Sequence, residues 1–231
     1  FNHPIYIVYS SGTTGKPKCI THGAGNVLLE HNKELMLHCN IKAKDKIFYY
    51  TTAGWMMWNW LVGGLAVQAS LFLYDGAPTY PKIDVLFDYC EKKNFKLFGV
   101  SAKYIDHLKN EKFKSNKFDL KSLEIIASTG SPLSEESFQY VYDHIKKDVH
   151  LASIAGGTDL VGCLVMGNLF SNVYKGEIQG QSLGIDVDVF NQEGSSTMAR
   201  EKGELVVKKP FPTMPVKFWG DDGTKYHNAY F

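Results

Sequence analysis

Short apolar runs alternate with longer amphipathic stretches along residues 1–174. Runs of four to eight apolar residues predict strands, and longer stretches with apolar residues three and four positions apart predict helices. The pattern predicts strands at 5–9, 19–22, 47–50, 71–74, 97–100, 123–127 and 149–155. It predicts helices at 24–39, 55–68, 83–93, 102–110 and 135–147, the last with Ser134 as its N-cap.

This alternation predicts an α/β fold, in which a parallel sheet is flanked by helices on both faces. Ligands of such sheets bind in the loops at the carboxyl ends of the strands. Glycine-rich polar stretches follow the predicted strands that end at Tyr9, Ala127 and Ala155. We therefore expect these three stretches to meet at that edge of the sheet.

The pattern changes after about residue 174. Residues 183–190 alternate between apolar and polar with period two, residues 191–194 form a turn, and a further strand begins at 203. This predicts a smaller antiparallel β region after the parallel sheet. The predicted division is an α/β subdomain at 1–174, which includes the glycine-rich loop, and a β-rich subdomain at 175–231.

Residues 51–74 carry no charge and are long enough to span a bilayer. However, Asn59, Gln68 and Ser70 interrupt the segment, and Asp75–Gly76 closes it as a turn. A buried helix followed by a buried strand explains the segment equally well, so we expect no membrane association.

Composition narrows the class of protein further. The 231 residues are 44% hydrophobic and 21% charged, as in globular proteins, and the net charge of +1 gives no sign of nucleic-acid binding. The four cysteines are scattered without a CxxC motif, which predicts reduced thiols in the cytoplasm and neither a zinc site nor disulfides. The chain starts without Met or a signal peptide, and it is expected to be a piece of a longer protein.

Residues 9–18 carry the densest chemistry, in the order Tyr-Ser-Ser-Gly-Thr-Thr-Gly-Lys-Pro-Lys. Gly12 and Gly15 let the backbone approach a ligand closely, while hydroxyl groups and lysines supply donors and positive charge. These properties suit a polyphosphate, although an ordinary glycine-rich hairpin loop is the alternative. A Walker P-loop is excluded, because two residues rather than four separate the glycines and Pro17 follows Lys16.

The same ten residues resemble the phosphate-binding motif of the acyl-adenylate-forming enzymes, which include acyl-CoA synthetases, peptide-synthetase adenylation domains and luciferases. The resemblance implies that a carboxylate is activated with ATP and Mg²⁺ and then passed to coenzyme A. It assigns catalysis to Lys16 and Thr158. It assigns contacts with ATP to Ser10, Ser11, Gly12, Thr13, Thr14, Gly15, Lys18, Gly130, Ser131, Pro132 and Gly157.

Two further motifs follow in the order of that family. Residues 128–133 match a turn that borders the adenine and one wall of the acyl pocket, although Ser131 replaces the acidic residue of the family. Residues 156–159 match the element in which Thr158 contacts the α-phosphate and Asp159 helps to hold magnesium. Most relatives have Glu where this chain has Asp159. Taken alone, each stretch could equally be a turn or a helix cap.

Part of the expected machinery lies beyond Phe231. Residues 203–220 match the β segment that leads towards the ribose-binding aspartate of the family. That aspartate, the hinge and the C-terminal domain with its lysine are expected after the last residue of this chain. We therefore expect the isolated chain to form no acyl-CoA on its own, and the missing C-terminal domain is its predicted partner.

Within the family, residues 51–60, 74–78 and 153–159 are most similar to the ligases that act on a short-chain keto acid, acetoacetate. The predicted acyl pocket consists of Trp55, Met56, Thr129 and Gly156. Gly156 stands where acetate-specific relatives have a Trp, which implies room for a longer acid, and Thr129 and Trp55 are candidate donors to its ketone. Trp58 and Trp60 belong either to the pocket or to the core.

Two alternatives to the keto acid ligase remain open. The first is a ligase for another short acid, such as acetate or propionate. The second is a nucleotide-binding or scaffolding fragment without catalytic activity.

Overall fold

The computed structural model describes residues 1–10 and 17–231. The predicted phosphate-binding residues Ser11, Gly12, Thr13, Thr14, Gly15 and Lys16 lie outside the described residues. The strands are β1 (Pro4–Ser10), β2 (Lys18–Gly23), β3 (Lys46–Tyr49), β4 (Ser70–Phe72), β5 (Leu97–Ser101), β6 (Ile125–Thr129), β7 (His150–Ser153), β8 (Ala155–Gly157), β9 (Gly162–Met166), β10 (Gly180–Gln181), β11 (Val187–Phe190), β12 (Glu204–Val207) and β13 (Lys217–Phe218). The helices are α1 (Ala24–Asn32), α2 (Met56–Gly63), α3 (Val85–Lys93), α4 (Ala102–Asn110), α5 (Glu135–Tyr140) and α6 (Thr224–Tyr230).

A five-stranded sheet forms the centre of the fold, with the strand order β4-β3-β5-β6-β7. All of its neighbouring strands are parallel. Successive side chains of a strand point to opposite faces, so the apolar runs bury both faces of the sheet. The predicted α/β fold with a parallel sheet flanked by helices is confirmed.

Each face of the sheet packs against its own layer of helices. On one face, Phe48, Phe98 and Ile126 pack against α3, α4 and α5. On the other face, the neighbouring residues Tyr49 and Leu97 share a core with α2 and with the helix that follows β2. Successive residues of β3 and β5 thus face opposite sides of the sheet, and the fold has three layers: helices, sheet and helices.

The five predicted helices begin within two residues of the expected positions, but α2 ends at Gly63, five residues before its predicted end, and α6 was not predicted. Ser134 caps α5 by accepting from the backbone N–H of Ser137, and Ser101 caps α4 in the same way. α1 continues directly into a π-helical segment, Lys33–His38, so the predicted helix at 24–39 is one continuous element. α5 similarly continues into the π-helical segment Val141–Ile145.

Segment 51–74 contains α2 and β4, as the alternative to a membrane span predicts. Met57, Trp60 and Leu61 of α2 are buried against the sheet. Among the described residues, no helix has the length and apolarity needed to cross a membrane.

Small antiparallel sheets lie beside the central sheet, in the orders β1-β2-β13, β10-β9-β8 and β11-β12. The pairing of β11 with β12 confirms the predicted antiparallel region. β10 pairs with β9, and β13 pairs with β2, so strands after residue 174 join strands before it. The division into subdomains at residue 174 stays a prediction.

The interpretation of residues 5–9 as a buried strand of the parallel sheet is wrong. β1 pairs antiparallel with β2, and its side chains Ile5 and Tyr9 are exposed. The glycine-rich loop therefore joins two antiparallel strands outside the central sheet. Of the three polar stretches, those after Thr129 and Ser153 follow strands of the parallel sheet, whereas the stretch after Tyr9 does not.

Candidate active site

A cavity of about 370 Å³ lies between the end of β6, the start of α2 and the hairpin of β8 and β9. Three stretches that are far apart in the sequence provide its walls. Nine of the predicted site residues line it: Trp55, Met56, Thr129, Gly130, Ser131, Pro132, Gly156, Gly157 and Thr158. The cavity is of the size that small-molecule sites commonly have.

The turn after β6 forms one wall of the cavity. Gly130 has a φ of +88°, which favours glycine, and the position that a Cβ would take is 3.7 Å from the Trp55 ring. The hydroxyl of Thr129 donates to the carbonyl oxygen of Ile154 at 3.0 Å. Because its only proton is used in that bond, Thr129 is a poor candidate for the donor to a substrate ketone.

The start of α2 forms a second wall, where Trp55 is the extended residue before the helix. The Trp55 ring meets the Tyr49 ring edge-on at 6.3 Å. Trp60 is fully buried and its indole donates to a carboxylate oxygen of Glu34 at 2.6 Å, so Trp60 belongs to the core. Trp58 is half-buried and does not line the cavity.

The two neighbouring glycines of β8 differ in their surroundings. A Cβ on Gly156 would lie 2.0 Å from the carbonyl oxygen of Gly162 and 2.6 Å from Cα of Cys163. A Cβ on Gly157 would have only the amide nitrogen of Asp159 within 4.0 Å. A side chain at 156 therefore meets the backbone of β9 instead of closing the cavity, and the space for a side chain is at 157.

Asp159 follows Thr158 in the turn between β8 and β9, and it does not line the cavity. Its Oδ1 accepts from the Tyr230 hydroxyl at 2.6 Å and lies 3.3 Å from Nζ of Lys18. The Lys18 ammonium also lies 5.2 Å from the centre of the Tyr230 ring. Lys18 pairs across β1–β2 with Ser10, whose hydroxyl is buried without a partner among the described atoms.

The described residues contain no cluster of three or more His, Cys, Asp or Glu side chains that could hold a metal ion. Magnesium, however, is commonly bound by one or two carboxylates together with the phosphates of a nucleotide. Asp159 fits that role, since its carboxylate is only partly buried and directly follows Thr158, which lines the cavity.

No sequence motif contains His22, His31 or Tyr230, yet all three lie beside the turn that carries Thr158 and Asp159. The imidazole of His22 bonds to the backbone of Thr158, and the hydroxyl of Tyr230 bonds to Asp159. Burial lowers the pKa of His22 and raises that of Tyr230 above its ordinary value. No local pattern marks these residues, because each meets its partner only through the tertiary fold.

The parallel sheet, with the cavity beside the carboxyl ends of its strands, is the arrangement that the resemblance to the adenylate-forming class predicts. The chain belongs to the AMP-binding enzyme family, whose sequence profile matches residues 2–215. The resemblance found in the sequence is thereby confirmed.

Several relatives match this chain over its whole length. It is 56% identical to the acetoacetyl-coenzyme A synthetase of Rhizobium meliloti (strain 1021) and 49% identical to the acetoacetyl-CoA synthetase of Gallus gallus. The acetoacetyl-CoA synthetase structure from Streptomyces lividans superposes on all of the chain with a TM-score of 0.93 and 40% identity. The chain covers 36%, 35% and 36% of these proteins, so it spans about a third of their length.

Proposed function

We propose that this chain is part of an enzyme that activates acetoacetate with ATP and transfers the acyl group to coenzyme A. The observation that carries the proposal is the cavity where three stretches meet: the start of α2, the turn after β6 and residues 156–158. Thr158 lines this cavity, and the ion pair between Lys18 and Asp159 lies beside it. The names of the relatives that match the whole chain support the same activity.

In the first half-reaction, a carboxylate oxygen of the acid attacks the α-phosphorus of ATP. The bond from that phosphorus to the bridging oxygen breaks, and diphosphate leaves with the negative charge. Lys18 and the glycine-rich loop, with Lys16 among its residues, hold the leaving phosphates, and the Thr158 hydroxyl orients the α-phosphate. The protein acts by positioning the reactants and stabilising charge, which are the main contributions in phosphoryl chemistry.

Magnesium would be held by Asp159 and would neutralise phosphate charge.

The second half-reaction requires no covalent enzyme intermediate. The thiol sulfur of coenzyme A attacks the acyl carbon of the adenylate, the thioester bond forms, and AMP leaves. The turn at 130–132 borders the adenine in this proposal. The C-terminal domain of the longer protein provides the remaining groups.

Trp55 is the proposed donor to the ketone of acetoacetate. Its ring lies at the cavity, and its indole N–H takes part in no hydrogen bond among the described residues. Thr129, the other candidate, already donates to Ile154. A buried ketone without a donor costs about 1–3 kcal/mol, so this contact would favour acetoacetate over an acid of the same length without the ketone.

ATP–diphosphate exchange by the full-length protein tests the function. The panel should contain acetate, propionate, butyrate and acetoacetate, each with and without MgCl₂. We expect exchange with acetoacetate to be fastest. Faster exchange with acetate or propionate would assign the protein to another short acid, and no exchange with any acid would favour a nucleotide-binding fragment without catalytic activity.

The Trp55→Phe variant tests the donor, with butyrate as the acid that lacks the ketone. We expect the preference for acetoacetate over butyrate to fall by about 10-fold, which corresponds to about 1.4 kcal/mol for one hydrogen bond. Trp58→Phe is the matched control, since Trp58 does not line the cavity. An unchanged preference in Trp55→Phe would contradict this assignment.

A further inference from the structure

Two buried histidines bond to backbone carbonyls in the turn that joins β8 to β9. Nε2 of His22 lies 2.9 Å from the carbonyl oxygen of Thr158, and Nε2 of His31 lies 2.7 Å from that of Val161. A carbonyl oxygen can only accept, so both rings donate from Nε2. Neither Nδ1 atom has a partner among the described atoms, which fits neutral rings. Burial lowers the pKa of both histidines, that of His31 to about 4.

A buried carboxylate holds the strand that follows the turn. One oxygen of Glu34 accepts from the backbone N–H of Cys163 at 2.7 Å, and the other accepts from the indole of Trp60 at 2.6 Å. A Cβ on Gly162 would lie 3.0 Å from Oε1 of Glu34, so the glycine allows the carboxylate to approach the backbone. Burial raises the pKa of Glu34, with the charge of Glu30 as the second cause.

The turn itself contains a strained residue. Val161 is fully buried and has a φ of +49°, in the left-handed region that β-branched residues rarely adopt. Such a conformation costs on the order of 1–3 kcal/mol and persists only when the surroundings enforce it. The hydrogen bond from His31 reaches the carbonyl of this same residue.

We propose that His22, His31 and Glu34 form a backbone clamp that positions Thr158 and Asp159 for the nucleotide. His22 has the most direct effect, because a bond to the carbonyl of Thr158 fixes the peptide plane between Thr158 and Asp159. The clamp rests on the proposed function, and it assigns His22 the role of a positioning residue that does not itself touch a reactant.

The clamp also connects the turn to the glycine-rich loop. Lys18 and His22 are four residues apart on β2, so they lie on the same face of that strand. Lys18 contacts the side chain of Asp159, while His22 contacts the backbone of Thr158. One strand that begins at the loop therefore holds the turn at two points.

Variants of His22 and His38 in the full-length protein separate positioning from general stability. His38 is a buried histidine of the same region, but it bonds to the carbonyl of Gly167 and the N–H of Leu183, outside the turn. Leu removes the imidazole in both positions, and Gln at position 22 restores a donor near the place of Nε2. The measurements are kcat and KM for MgATP in diphosphate exchange, the Tm, and hydrogen exchange of the backbone at 158–163.

The clamp predicts that His22→Leu lowers kcat by about 10-fold or more, since displacing a group by about 1 Å can cost about 100-fold in rate. His22→Gln should recover most of this loss, and His38→Leu should stay within about twofold of the unsubstituted protein at a similar loss in Tm. An equal loss of kcat in His22→Leu and His38→Leu would overturn the proposal, as would an unchanged kcat in His22→Leu.

Hydrogen exchange keeps the clamp testable if the unsubstituted protein exchanges no diphosphate with any acid. That result would contradict the proposed function alone. The clamp then predicts faster backbone exchange at 158–163 in His22→Leu and His31→Leu than in His38→Leu. Equal rates of hydrogen exchange at 158–163 in the three variants would overturn the clamp.

Discussion

A single methyl group on Gly156 tests how β8 packs against β9. In Gly156→Ala, the new Cβ would start 2.0 Å from the carbonyl oxygen of Gly162, and β9 has to retreat by about 1.4 Å to reach the 3.4 Å of an ordinary contact. The obstacle is backbone, and Gly156 is paired with Cys163 in the hairpin, so no side chain can rotate away. Gly157→Ala is the matched control, because its Cβ would make only one contact, at an ordinary 4.0 Å from the amide nitrogen of Asp159.

Crowding in a packed region costs about 1–3 kcal/mol, and we expect the upper part of this range because backbone must move. For a chain of this size, about 3 kcal/mol lowers Tm by about 6–12 °C. Thermal unfolding followed by circular dichroism measures this shift in Gly156→Ala, whereas Gly157→Ala should stay within about 2 °C of the unsubstituted chain.

The same pair of positions tests the proposed acyl preference. A larger residue at 156 should reduce exchange with acetate and acetoacetate together, because it separates the strands. This result would replace the expectation from the sequence that Gly156 provides the room for a longer acid. Gly157→Val should instead reduce acetoacetate exchange more than acetate exchange. The reasoning is refuted if Gly156→Ala matches Gly157→Ala in Tm, or if Gly156→Trp loses acetoacetate exchange alone.

Three further predictions concern stability. Burial holds the pKa of His31 at about 4, so the unfolded chain binds more protons than the folded chain below pH 6.5. The free energy of unfolding should therefore fall by up to about 3 kcal/mol from pH 6.5 to pH 4, and urea titrations should show a smaller fall in His31→Gln. Ser134→Ala should cost about 1 kcal/mol in chemical unfolding, and Ser134→Asp should restore the cap. Trp60→Phe removes a donor from the buried Glu34 and should cost about 1–3 kcal/mol, whereas a similar loss in Trp58→Phe would argue against that hydrogen bond.

The sequence determined the five helices up to residue 147, the parallel sheet and nine of the residues that line the cavity. Helix α4 begins and ends at the predicted residues, and Ser134 caps α5 as expected. These features depend on neighbouring residues, since apolar spacing, N-cap chemistry and glycine in turns act over a few positions. The cavity motifs were found through the resemblance to a family, because each is one short stretch that can be matched in sequence.

Only the tertiary structure decided how the strands and side chains pair across the chain. The apolar run of β1 predicts a buried strand, but β1 pairs with the neighbouring β2 in an antiparallel sheet outside the central sheet. No sequence pattern distinguishes the adjacent Gly156 and Gly157. A Cβ on Gly156 would nevertheless meet the backbone of β9, whereas a Cβ on Gly157 would have only the amide nitrogen of Asp159 within 4.0 Å. His22 and Thr158 are separated by 136 positions, and their hydrogen bond exists because the tertiary fold brings β2 against the turn between β8 and β9. Contacts of this range depend on the whole fold, so no local pattern in the sequence encodes them.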